Sequence, residues 1–291
     1  MSIADEIKQS FKSGSSLTKL IYINLAVFLV VKLIAVFYFL LSVENSFSLV
    51  SWLAVPADLS NLAYKPWTVF SYMFLHQDFL HILFNMLWLY WFGQIFLHYF
   101  DNKKLLSVYL VGGLAGAFVY ILTFNIFPVF ADILPVSYAL GASASVIAIV
   151  IAVSVYAPNH TIYLLFFGPV KLKYIALATI IIDVISIAST NAGGHLAHLG
   201  GALFGYFYIM QFKKGRNITR LFDRFMDFIF SIFKPRPKIK VTYKRPVDDF
   251  EYNKSKAQKQ AEIDKILDKI AKSGYESLSK QEKETLFKNS K

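Results

Sequence analysis

The sequence predicts an all-α, polytopic membrane protein with six helical spans and a helical tail in the cytoplasm. Three observations carry this. Of 291 residues, 56% are hydrophobic and only 17% charged, where a soluble domain carries about 25%. Six apolar stretches approach the roughly 20 residues that cross a bilayer as a helix. The net charge of +11 is not spread over the chain. Residues 1–212 hold 9 Lys/Arg and 8 Asp/Glu, whereas residues 213–291 hold 21 and 11. A near-neutral apolar body with a basic tail argues against nucleic acid as a partner and for a bilayer, because basic tails face the cytoplasm. The absence of cysteine excludes disulfides, thiol catalysis and Cys-ligated metal centres.

Residues 1–19 form a cytoplasmic N-terminal segment, and residues 20–212 the membrane domain. The spans are Leu20–Leu41, Phe74–Phe96, Leu105–Ile126, Ala142–Tyr156, Tyr174–Thr190 and Gly193–Phe212. The first run is too long for a signal-peptide core and lacks a small-residue cleavage site, so it reads as a retained span. Segment 42–73 holds Trp52, Pro56, Tyr64, Pro66 and Trp67 among apolar residues, a composition suited to the membrane interface. Residues 213–249 read as a basic amphipathic helix on the inner membrane surface (Ile218–Phe233) followed by a proline-containing linker (Lys234–Asp249). Residues 250–291 form a small cytoplasmic module with two short helices over 255–288. Its first helix carries Ile263, Ile266, Leu267 and Ile270 and ends at Gly274. Ser279 with Glu282 gives the capping-box start of the second.

Lys/Arg bias sets the orientation. With the N-terminus inside, the inner segments hold Lys8, Lys12, Lys19, Lys103, Lys104, Lys171 and Lys173, and the outer ones only Lys65. Six spans then return the basic tail to the inside. We expect an integral multi-pass protein of a bacterial inner membrane with both termini cytoplasmic.

Polar groups inside a membrane are costly and are functional candidates. Three clusters stand out. His76 opens the second span, followed by His81 and Asn85, which lie four apart on one helix face. Both could donate to an oxyanion, or they could join helices. Gly141-Ala-Ser143-Ala-Ser145 starts the fourth span. Such small residues often serve packing. At 15 residues, however, this span reaches only roughly 22 Å across a core of about 30 Å, which places Ser143 at the floor of a water-filled cavity. In the sixth span, His198, Gly201 and Gly205 form one stripe on which glycine permits close helix approach. There His198 could reach a serine on the neighbouring helix as base and then acid. The charge rule places all three clusters toward the outer side.

These blocks resemble those of rhomboid intramembrane serine proteases: a His/His/Asn helix (His76–Asn85), a Gly-x-Ser helix start (Gly141–Ser145) and an Ala-His-x-x-Gly helix (Ala197–Gly205). The resemblance covers residues 18–212. It implies a six-helix bundle whose Ser–His dyad cleaves transmembrane helices near their outer ends, without metal or cofactor. Carried over, Ser143 is the nucleophile and His198 the general base. His81, Asn85 and the Ser143 N–H form the oxyanion site. His76, Gly141, Gly201 and Gly205 support it.

The sequence departs from the family pattern at several points. Ala144 stands where glycine is common, Ile147 where an aromatic is common, and Leu97-His98 in a region that usually holds an acid. A Trp-Arg pair in the first outer loop is absent. The alternative function is therefore a catalytically inactive relative that binds membrane helices. A metalloenzyme using His76, His81, His195 and His198 would lack the glutamate that paired histidines need. A transporter would need inverted repeats, and none is evident. Asp183 in the fifth span could orient His198, although packing or gating is the favoured role. Lys32 reads as structural or snorkelling. The implied partners are transmembrane substrates and the lipid bilayer.

Overall fold

The computed structural model describes residues 2–42, 49–164, 168–189, 191–233 and 248–288. It divides into two units, residues 1–233 and 234–291.

The first unit opens with α1 (Ile3–Ser13), capped by a reciprocal Ser2–Asp5 capping box, and α2 (Ser16–Leu40), capped by Ser15. Next come α3 (Leu49–Leu53), β1 (Val55–Pro56), α4 (Leu59–Tyr64) and α5 (Thr68–Ser71). A 3-10 turn, Tyr72–Phe74, leads to α6 (Phe79–Tyr99) and α7 (Asn102–Ile126). β2 (Tyr138–Ala139) then pairs antiparallel with β1, Val55 facing Ala139. α8 (Ser143–Tyr156) is followed by the antiparallel hairpin β3 (Thr161–Leu164) and β4 (Gly168–Lys171). The unit closes with α9 (Leu172–Ile185), α10 (Ala192–Lys213) and α11 (Arg220–Phe233).

Among the described residues, α2, α6 and α7 are long and apolar enough to cross a membrane, and α8 is a shorter apolar helix. The other expected spans fall on α9, which is 14 residues long, and on α10. The second helix begins at Phe79, not Phe74. Asp78 accepts the His81 N–H as N-cap and so fixes the start, while Tyr72–Phe74 forms its own 3-10 turn. The fifth helix ends at Ile185, followed by a 3-10 turn over Ser186–Ala188. The expected end at Thr190 lies outside the described residues.

α8 is the axis of the body. Ala144 through Ser154 are all buried, as expected of a helix that is apolar on every side. α6, α7, α9 and α10 pack around it. Close approach depends on small residues. At Gly201 and Gly205 of α10, an added Cβ would overlap the carbonyl oxygens of Ala144 and Ala148. Several buried polar groups find partners, whereas the Tyr120 and Ser154 hydroxyls have none among the described residues. Asn24 donates to the Leu20 carbonyl and to the Tyr109 hydroxyl, which itself donates to the Met73 carbonyl. Leu29, Leu33 and Phe37 of α2 are exposed, an outer wall suited to lipid. Lys32 reaches the Gln77 carbonyl at 2.5 Å.

From Leu49 on, the expected interfacial segment 42–73 is structured. Trp67 Nε1–H donates to the Trp52 carbonyl at 2.9 Å, and the two indoles stack 5.8 Å apart. The expected amphipathic helix is α11. It leaves Leu221, Phe225, Phe228 and Ile232 exposed, while Phe222 and Met226 pack on the core.

The second unit holds α12 (Asp249–Ser273) and α13 (Lys280–Lys288). α12 runs 25 residues from an Asp248 cap, so the expected start at 255 is too late and the helix is not short. No proline or glycine interrupts it before Gly274, whose φ of +76° ends it. The Ser279–Glu282 capping box is present. Ile266 and Leu278 are buried. Most of the expected linker, residues 234–247, lies outside the described residues.

Candidate active site

Ser143 is the first residue of α8. Gly141 precedes it with φ +127°, a conformation that L side chains rarely adopt. Its N–H donates to the Tyr72 carbonyl at 2.9 Å. An added Cβ there would lie 2.8 Å from His81 Nε2, so the bare backbone lets the His81 ring close over the start of α8. The N–H groups of the first turn of α8 have no side-chain cap, and a helix N-terminus favours negative charge.

His198 comes from α10. Its Nε2 lies 2.7 Å from Ser143 Oγ. The glycine contacts explain the approach: Gly201 lies three residues after His198 and rests on Ala144, next to Ser143. Asn85 is buried on α6. Its amide donates one hydrogen to the His81 carbonyl at 2.9 Å, leaving a second N–H. His76 is buried edge-on to His81, with ring centroids 5.1 Å apart and no protein partner at either ring nitrogen among the described residues. It therefore meets the site through packing.

Two cavities meet at this pair. One of about 530 Å³ is lined by Gln77, Asp78, His81, Asn85, Ser143 and His198. The other, of about 340 Å³, is mostly apolar, with Phe84, Trp88, Ile147 and Ile182 beside the same serine and histidine. A serine hydroxyl within hydrogen-bond reach of a histidine, below a cavity, has the arrangement needed for nucleophilic attack. Hydrogen-bond donors beside it suit a developing negative charge.

The structure also brings Asp183 to His198, the lesser of its two roles read from the sequence. Packing or gating was the favoured role for Asp183. Its carboxylate is buried, and Oδ1 lies 2.8 Å from Nδ1 of His198 and 2.8 Å from Nδ1 of His195. The available signal was one acid inside an apolar helix and two histidines three residues apart. The ligating atoms of Asp183, His195 and His198 lie within 4.8 Å of one another, a spacing that could hold a metal ion, although the hydrogen bonds already account for all three. The four-histidine set considered from sequence does not assemble in this way.

Residues 63–214, more than half of the chain, match the Rhomboid domain. The protein belongs to the rhomboid family of integral membrane proteins. It is 32% identical over 158 residues to RHOMBOID-like protein 12, mitochondrial, of Arabidopsis thaliana, covering 51% of this chain and 47% of the relative. It is 37% identical over 68 residues to the rhomboid protease GlpG of Klebsiella pneumoniae, covering 23% and 24%. With GlpG of Pectobacterium atrosepticum it is 37% identical over 83 residues, covering 28% and 29%. The chain thus spans about half the length of the plant relative and a quarter or so of the bacterial ones. Residues 247–291 match a family of unknown function (DUF6576).

Proposed function

We propose that the protein is an intramembrane serine endopeptidase that hydrolyses peptide bonds in or near transmembrane helices of membrane-protein substrates. The 2.7 Å approach of His198 Nε2 to Ser143 Oγ below an open cavity carries this reading. His198 takes the hydroxyl proton as Oγ attacks the scissile carbonyl carbon. The tetrahedral oxyanion is held by His81, Asn85 and the Ser143 N–H. His198 then gives the proton to the leaving amine, and water repeats the sequence on the acyl-enzyme. A membrane helix hides its carbonyls in hydrogen bonds, so a substrate needs small or helix-breaking residues that let it unwind.

The proposed topology has six spans (α2, α6, α7, α8, α9, α10) in a bacterial inner membrane. Both termini and the tail are cytoplasmic, with the site toward the outer side. The seven-to-one split of lysines between inner and outer segments supports it.

The test uses detergent-purified protein, a fluorophosphonate probe and a panel of single-span substrates. Wild type should label and cleave, whereas Ser143→Ala and His198→Ala should do neither. Labelling that persists in Ser143→Ala sinks the nucleophile assignment. Wild-type silence across a broad panel favours a helix-binding relative.

A further inference from the structure

Asp183 has geometry that a Ser–His pair alone does not need. It sits within α9, and one of its oxygens meets two histidines of α10, both at 2.8 Å. A carboxylate carries no proton to give, so each ring must donate its Nδ1–H to that oxygen. A neutral imidazole has only one ring proton. Donation from Nδ1 therefore leaves a bare lone pair on Nε2 of His198, and that nitrogen faces Ser143 Oγ. The opposite tautomer would point an N–H at the serine and could not accept its proton.

His195 has a separate part. It lies one turn before His198 on the same helix face and donates to the same oxygen. Two donors from one rigid helix fix the rotation of the carboxylate, which cannot turn away from His198 without losing both bonds. The side chain is almost fully enclosed. Among the described residues, Asp183 of α9 and His195 of its own helix adjoin His198, and Asp78, His81 and Tyr138 line the cavity it faces. Of these, Asp183 accepts from its Nδ1.

We infer that Asp183 is a positioning residue that holds His198 in the tautomer able to take the Ser143 proton, and that His195 locks Asp183 in place. This rests on the proposed roles of Ser143 and His198. No new covalent step is added. The proton passes from Oγ to Nε2, and the Nδ1–H stays on His198 throughout.

The test has two arms. In the first, cleavage kinetics and fluorophosphonate labelling are measured on full-length variants whose melting temperature in detergent is recorded. Asp183→Asn can turn an amide N–H toward Nδ1 and so favours the wrong tautomer. It should lower kcat and the labelling rate by about 100-fold or more, with KM nearly unchanged. His195→Leu should cost about tenfold through misplacement. His195→Asn, which keeps an N–H at the same reach, should recover most of that loss. In the second arm, the 15N spectrum of histidine-labelled wild-type protein, with His198 assigned by difference from His198→Ala, should show a protonated Nδ1.

A folded Asp183→Asn with wild-type kcat overturns the inference, and so does a wild-type His198 protonated at Nε2. If Asp183→Asn does not fold, the wild-type spectrum decides alone. Failure of the underlying reading looks different: Ser143→Ala keeps its label whatever happens at position 183.

Discussion

Gly201 rests directly on the carbonyl oxygen of Ala144, with no room for a methyl group between them. This contact sets the separation of α8 and α10 one residue from the serine and three from the histidine. A backbone oxygen cannot swing aside as a side chain can. Gly201→Ala should therefore cost about 1–3 kcal/mol by overpacking and sharply slow fluorophosphonate labelling, because it moves His198 away from Ser143. Ala144→Gly keeps the helices in contact and should cost only about 0.5–1 kcal/mol, with labelling retained. Thermal melts in detergent beside labelling rates check both.

Asn85 spends one amide hydrogen on its own helix and has one left for the cavity. If that hydrogen meets the oxyanion, Asn85→Ala should lower kcat by about 10²–10³ with little change in KM. A raised KM with kcat unchanged would place Asn85 in substrate binding instead.

Two aspartates fasten α11 to α7, and they should not matter equally. Asp223 accepts from the buried Ser107 at 2.6 Å and from Asn217 at 3.1 Å. Asp227 pairs with Lys103 at 2.6 Å, but both side chains are at least half exposed. Ser107 can still donate to the Lys103 carbonyl at 3.0 Å, but Asp223→Ala removes the charged acceptor shared by Ser107, Asn217 and Thr219 and should loosen α11 by about 1–3 kcal/mol. Asp227→Ala should cost less than about 1 kcal/mol. Hydrogen exchange of the α11 amides separates the two.

Glu282 gives the second unit a pH dependence. The Ser279 backbone N–H, then Lys269 and the Ser279 hydroxyl, pull its carboxyl down from an ordinary 4.5 to about 2. A depressed carboxylate stabilises the folded state above its unfolded pKa, and that contribution fades as pH falls toward the folded value. The start of α13 should therefore hold at pH 5 and fray between about 4.5 and 2. The 13C shift of the Glu282 carboxyl in the full chain should titrate near 2. A midpoint near 4.5 would contradict the capping geometry.

Hydropathy was enough to place α2 and α6 to α10 because each has its own apolar length, and the start of α6 that it missed was set by a single side chain. Asp78 moved the start of α6 by capping, a local hydrogen bond that a hydropathy window averages away. α12 is so polar that only Ile263, Ile266, Leu267 and Ile270 marked it, and its first two turns carry no apolar stripe. At the site, Ser143, His198, His81 and Asn85 were legible as costly polar groups at similar depth. The Asp183 contact with His198 was legible only as the lesser of two readings, since helix rise places both residues at similar depth along the membrane normal and says nothing about which neighbour a side chain turns toward. That choice depends on how closely α9 and α10 pack, a property of many residues together.

Tyr72 is tied in two directions. Its carbonyl holds the Gly141 N–H, and its hydroxyl donates to the Gly113 carbonyl of α7 at 2.5 Å. It acts as a strut from the Trp52–Trp67 segment to the backbone two residues before Ser143. A displacement of that segment would be passed to the turn that precedes Ser143. Under the proposed reading, the turn that carries the nucleophile is braced through one tyrosine against the backbone of α7.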